Sequence, residues 1–106
     1  MIALLNDLSC RQILTGLSSG SFTSRDLADA YLERIESVAY LNAVAFIDPD
    51  AVRLAAEEAD KRRAAGDSSP LLGLPLSIKD SIAVKGWPWR SGSFAREHVV
   101  ADSDAT

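Results

Sequence analysis

The chain has 106 residues, room for one small domain, with 47% hydrophobic and 25% charged residues, the balance of a globular protein. Its formal net charge of -4 gives no electrostatic case for nucleic acid or an anionic membrane, and the basic cluster Lys61, Arg62 and Arg63 is preceded by Glu57 and Glu58. The one cysteine, Cys10, can form neither an internal disulfide nor a zinc site, so the expectation is a cytoplasmic protein without metal or cofactor.

The start, Met1 to Leu8, is apolar but lacks a basic n-region and is interrupted by Asn6 and Asp7, so it is not read as a signal peptide. No apolar run is long enough to span a bilayer. A first amphipathic helix is expected over Asn6 to Leu17, broken by Gly16, Ser18, Ser19 and Gly20. Cys10, inside it, is read as a small packing residue.

Thr23 is a natural N-cap for the second helix, and Asp26, three residues on, completes a near capping box. Leu27, Tyr31, Ile35 and Val38 follow at helical spacing, with Leu32 widening the stripe. Ala43 to Ile47 is continuously apolar and is expected to be a short strand covered on both faces. Asp48 then caps a third helix with Pro49 at its first position. Val52, Ala55, Ala56 and Ala59 form its narrow face, and Glu57–Lys61 and Glu58–Arg62 are expected as i,i+4 pairs. Gly66 ends this helix, and a polar loop runs to Pro70.

A second strand is expected within Leu71 to Val84. Its period of two would place Leu74, Leu76 and Ile78 on one face and Ser77 and Lys79 on the other. Helix, helix, strand, helix, strand is the order of an α/β fold. A lysine in so apolar a stretch either reaches water or is held in a pocket. If buried, desolvation favours its neutral amine, which can act as a general base. Read by itself, a lone strand lysine is more often exposed or edge-guarding. His98 is read as a surface histidine, and Trp87 and Trp89 as packing residues.

The stretch Gly73-Leu-Pro-Leu-Ser-Ile-Lys-Asp-Ser-Ile resembles the lysine motif of the amidase signature family. Gly86-Trp-Pro-Trp-Arg-Ser-Gly-Ser fits that family's next segment, and Asp104-Ala-Thr resembles the start of its next helix. Upstream, Ser24-Arg-Asp-Leu with Tyr31-Leu-Glu-Arg-Ile looks like its helical N-terminal region, and Leu41-Asn-Ala-Val fits its first strand. Ser81 stands where the family more usually has asparagine.

The resemblance implies N-terminal helices over residues 1–40 and, over 41–106, the first strands of a mixed-sheet α/β core, incomplete within these residues. It implies hydrolysis of a small carboxamide through a serine nucleophile, a bridging serine in a cis peptide and a lysine, here Lys79. Asp80 is implied to support the strand end. Both serines are expected in a later Gly- and Ser-rich stretch, which neither Ser91-Gly-Ser93 nor Ser18-Ser-Gly matches. The 106 residues alone are therefore not expected to catalyse the reaction. Expected partners are a small amide substrate and the remainder of the fold, with a homodimer left open and no nucleic acid or membrane. Two other readings stay open: the A-type component of a tRNA-dependent amidotransferase, and a noncatalytic α/β interaction domain.

Overall fold

The computed structural model describes residues 5–106. Residues 1–4, part of the stretch read against a signal peptide, lie outside the described residues. The chain forms two compact units, Met1–Pro75 and Leu76–Thr106.

The first unit is helical: α1 (Cys10–Ser19), α2 (Ser24–Ser37) and α3 (Pro49–Ala64), with a 3₁₀ turn at Ala39–Leu41. α1 starts four residues later than its apolar pattern suggests, because Ser9 and Gln12 form a reciprocal capping box. The Gln12 N–H donates to the Ser9 hydroxyl at 3.2 Å, and the Ser9 N–H donates to the Gln12 side chain at 2.8 Å. Cys10 at the first helical position is exposed rather than packed. Gly16 does not break α1; the helix runs on to Ser19 and is closed by Gly20. Gly16 is needed there because an added Cβ would lie 2.2 Å from the Phe22 ring.

α2 begins as its sequence dictates: Thr23 accepts from the Asp26 N–H at 3.0 Å, and Asp26 accepts from the Thr23 N–H at 2.9 Å. α3 likewise begins at Asp48, which accepts from the Ala51 N–H at 3.1 Å, with Pro49 where no donor is required. Its last turn carries Lys61, Arg62 and Arg63, which suit the negative end of the helix dipole. Leu5, Ile13, Leu17, Leu27 and Ala30 form the core, with Leu8, Phe22, Tyr31 and Leu74 packed against it.

α2 and α3 pack together through charge as well as apolar contact. Asp29 accepts from Arg25 Nε at 2.9 Å and from Arg53 Nε at 3.0 Å, and Arg25 also pairs with Glu57. The Arg53 hydrogen bond is the main cause holding the Asp29 carboxyl below its ordinary value, with burial opposing and Arg25 assisting. The expected i,i+4 pairs are replaced: Glu57 reaches across to Arg25, and Arg62 binds Asp67 beyond the helix end at 2.6 Å. Arg62 places two nitrogens of its fork on Asp67, a carboxylate that Ser69 also holds.

Neither expected strand forms a ladder among the described residues. Ala43 to Ile47 is irregular, with Val44 44% and Phe46 39% exposed, and it follows a left-handed Asn42 (φ 50°). Leu76 and Ile78 are exposed too. The physical reason is that a strand is defined by its neighbour: an apolar run satisfies its N–H and C=O groups in a ladder only when a partner strand lies beside it. The described residues are thus helical, with one isolated antiparallel bridge, Pro88 to Val100.

Candidate functional site

The lysine motif straddles the end of the first unit and the start of the second. On the first unit, Arg63 of α3 donates to the Leu72 carbonyl at 2.5 Å and to the Ser24 hydroxyl at 3.4 Å. Gly73 then passes Ser24 with φ 80°, and a Cβ there would lie 2.0 Å from the Ser24 Oγ. Only glycine fits this left-handed, close approach. The start of the motif is therefore anchored to the paired ends of α2 and α3.

Lys79 lies in the second unit on non-helical, exposed chain, and the described residues form no apolar enclosure around it. Its ammonium has no hydrogen bond or ion pair among the described residues. The Ile82 N–H donates to the Lys79 carbonyl at 2.9 Å and closes a turn over Lys79 to Ile82. Asp80 accepts from the Arg90 N–H at 3.1 Å, and the Trp89 indole N–H donates to the Ser81 carbonyl at 3.1 Å. Asp80 was expected to support a strand end; no strand forms there among the described residues, and its carboxylate instead ties a turn to the following loop.

The rest of the second unit holds residues 89 and 90 in place. The Gly86 N–H donates to the Ala101 carbonyl at 2.9 Å, the Ala101 N–H to the Trp87 carbonyl at 3.0 Å, and the Trp89 N–H to the Val99 carbonyl at 2.9 Å. Arg96 lies over the Trp89 ring, 4.5 Å from its centroid, and donates to the Trp89 carbonyl at 3.0 Å. Ser91 and Gly92 both have positive φ (52° and 71°), with the Ser93 N–H bonded to the Arg90 carbonyl at 3.0 Å. That is a tight turn of the primed kind, not a nucleophile loop. Asp104 accepts from the Lys85 N–H at 2.8 Å.

His98 is exposed and sits 3.3 Å from Glu97. No group of three or more His, Cys, Asp or Glu side chains among the described residues could hold a metal. No helix among them is long and apolar enough to cross a membrane. An open groove of about 800 Å³ runs between α2, the 42–47 loop and the start of α3, lined by Leu32, Ile35, Val38, Val44 and Ile47. Of its charged lining residues, Asp29 and Arg53 are paired with each other, and Glu33 and Glu36 add two further carboxylates. The tethers at Trp89 and Arg96 were missed by sequence reasoning. The only hint was two tryptophans and two arginines in one short Gly- and Ser-containing stretch.

The chain is similar to the A-type component of glutamyl-tRNA(Gln) amidotransferase from several bacteria. It is 41% identical to that of a Psychrobacter species over 103 residues, 96% of this chain and 21% of the relative. It is 42% identical to that of a Roseiflexus species over 106 residues, 99% of this chain and 22% of the relative. It is 39% identical to that of Cupriavidus metallidurans over 98 residues, 92% and 20% respectively. The chain thus spans about a fifth of the length of these curated relatives. The profile of the family described as Amidase matches residues 26–106, which include nearly all of α2, the whole of α3 and the whole lysine motif. On that match, the chain belongs to the Amidase family.

Proposed function

We propose that this chain supplies the lysine of an amide-cleaving centre, Lys79, in a protein that releases ammonia from a small carboxamide. The observation that carries the reading is the motif Gly73 to Ile82, which lies inside the Amidase match. In this chemistry a serine hydroxyl attacks the amide carbonyl, ammonia leaves, and water frees the acyl group. The neutral Lys79 amine accepts a proton from the bridging serine, which in turn takes the proton of the nucleophile. Both serines belong outside these 106 residues. The runs Ala43 to Ile47 and, within Leu71 to Val84, the stretch around Lys79 become strands of a mixed sheet when neighbouring strands pair with them. The protein works in the cytoplasm, where Cys10 stays a free thiol.

A second reading is favoured by the relatives' common name. Here the carboxamide is that of glutamine, and the ammonia passes to glutamyl-tRNA(Gln) in a complex with other proteins.

The test is ammonia release by the full-length protein from glutamine and from simple aliphatic amides. Lys79→Ala is expected to lower turnover by about 10² to 10⁴, the usual worth of a general base, with the far-ultraviolet circular dichroism unchanged. Lys79→Arg fails as well, since a guanidinium does not give up its proton at working pH. Near-normal turnover by either variant removes Lys79 from the mechanism. Amidation of glutamyl-tRNA by the protein with its partner proteins separates the second reading from the first.

A further inference from the structure

Lys79 has no side-chain partner among the described residues, so its position depends on the backbone that carries it. That backbone is a turn closed by one main-chain hydrogen bond. A bond of this kind contributes only about 0.5–1.5 kcal/mol net, too little to hold a base within a fraction of an ångström. Two adjacent turn residues are tied to two adjacent residues of the following loop, Asp80 to Arg90 and Ser81 to Trp89.

The two ties differ in kind. Asp80 accepts from a main-chain N–H, so that tie tolerates any residue but proline at position 90. Ser81 accepts from an indole N–H, so that tie depends on the orientation of one ring. The ring is set from the other side: Arg96 covers its face and also holds the Trp89 carbonyl, while the Trp89 N–H is bound to Val99. Each hydrogen-bonding group of Trp89 is therefore engaged, and its indole reaches the peptide two residues beyond Lys79.

We propose that Trp89 is a positioning residue for Lys79: its indole N–H holds the Ser81 carbonyl and thereby the Lys79–Ile82 turn, with Arg96 bracing the ring. The inference rests on the reading of Lys79 as the terminal base. Without the indole donor, the Ser81–Ile82 peptide is held only by the Ile82 N–H, and the lysine samples positions from which the bridging serine is out of reach. Arg96 acts one step further away, through the ring.

The experiment uses the full-length protein and ammonia release from its best amide substrate. Trp89→Phe keeps a ring for Arg96 but removes the N–H. Replacement of Trp89 by benzothienylalanine keeps the bicyclic shape and exchanges only the N–H for sulfur, which covers the case in which the phenylalanine variant folds poorly. Both are expected to lower kcat by roughly ten- to a hundred-fold, as misplacement of a reacting group does, with KM little changed and the acid limb of the kcat–pH profile displaced. Arg96→Met should move the same quantities in the same direction by less, and Arg96→Lys should restore part of the loss, since an ammonium also binds a ring face. Wild-type kcat and pH profile in the benzothienyl protein overturn the proposal. A loss of activity matched by the unfolded fraction, with the pH profile unmoved, overturns it as well and leaves Trp89 a structural rivet. Full turnover by Lys79→Ala instead removes the reading of Lys79 itself, whatever position 89 does.

Discussion

Asp60 caps the helix that begins at Ser24 from 36 residues away. Its Oδ1 accepts from the Ser24 N–H at 2.8 Å and its Oδ2 from the Arg25 N–H at 3.0 Å. Thr23 and Asp26 serve each other's N–H groups. The four donors of residues 23 to 26, which an isolated helix leaves without intrahelical partners, are thus all satisfied, two of them by α3. Asp60→Ala is expected to destabilise the fold by roughly 1–3 kcal/mol, because two half-buried donors and Arg63 lose a charged partner together. Asp60→Asn should fall between, since its amide offers one acceptor oxygen. Urea denaturation monitored by circular dichroism gives both numbers. A cost for Asp60→Ala within a few tenths of a kcal/mol would mean that water replaces the carboxylate.

Gly73 meets the same helix start. Gly73→Ala adds a Cβ 2.0 Å from the Ser24 Oγ at a backbone φ of 80°. The left-handed conformation alone costs on the order of 1–3 kcal/mol for a residue with a Cβ, and the clash adds to it. Ser24→Ala removes the oxygen but leaves the strained backbone, so Gly73→Ala combined with Ser24→Ala is expected to cost less than the sum of the two. A double-mutant cycle on thermal or urea stability measures this, and strict additivity would show that the two residues are not in contact.

The loop after α3 carries a pH dependence. Asp67 accepts from the Ser69 hydroxyl at 2.5 Å and the Ser69 N–H at 2.9 Å, and it pairs with Arg62; these hold its carboxyl down to about 2 from 3.8. The folded value lies below the unfolded one, so the contribution is fully present above the unfolded value. It is lost as pH falls through the folded one, between about 4 and 2. Ser69→Ala should raise the carboxyl more than Arg62→Ala does, because the serine contacts are the leading cause. Carbon-detected titration of the Asp67 carboxyl reads both shifts, and the reverse ranking would make the arginine the controlling group.

Large apolar side chains remain uncovered in this chain: Phe94 is 92%, Tyr40 82% and Leu76 74% exposed. The 106-residue chain is expected to bind a hydrophobic dye and to self-associate at high concentration. Leu76→Ser and Phe94→Ser should reduce both effects while changing its stability by no more than about 0.5 kcal/mol. Equilibrium sedimentation and dye fluorescence check the prediction. A stability loss of several times that size would show that these side chains are packed in solution.

Helix starts were legible in the residues because their signals are local: Thr23 with Asp26, and Asp48 with Pro49, act within one turn of chain. Ser9 with Gln12 is the same kind of signal, overlooked in favour of the apolar residues before it. The motif Gly73 to Ile82 was legible as well, since a family motif is written directly in the chain, and it lies inside the Amidase match. Strands at Ala43 to Ile47 and within Leu71 to Val84 were read from apolar patterning, yet patterning states only that a segment can be covered, not that a neighbour is there to pair with it.

By itself, then, the sequence determined the family and the three helices of the described residues. Tertiary structure alone decided that Asp60 caps α2, that Gly73 rides on Ser24, and that Trp89 and Asp80 tie down the turn after Lys79. The first set depends on residues within a few positions of one another, whose geometry is fixed by the chain's own bonds. The second joins groups separated by between 8 and 49 positions (Ser81 to Trp89 at one extreme, Ser24 to Gly73 at the other), and such a pairing exists only once the intervening chain has folded to bring donor and acceptor together.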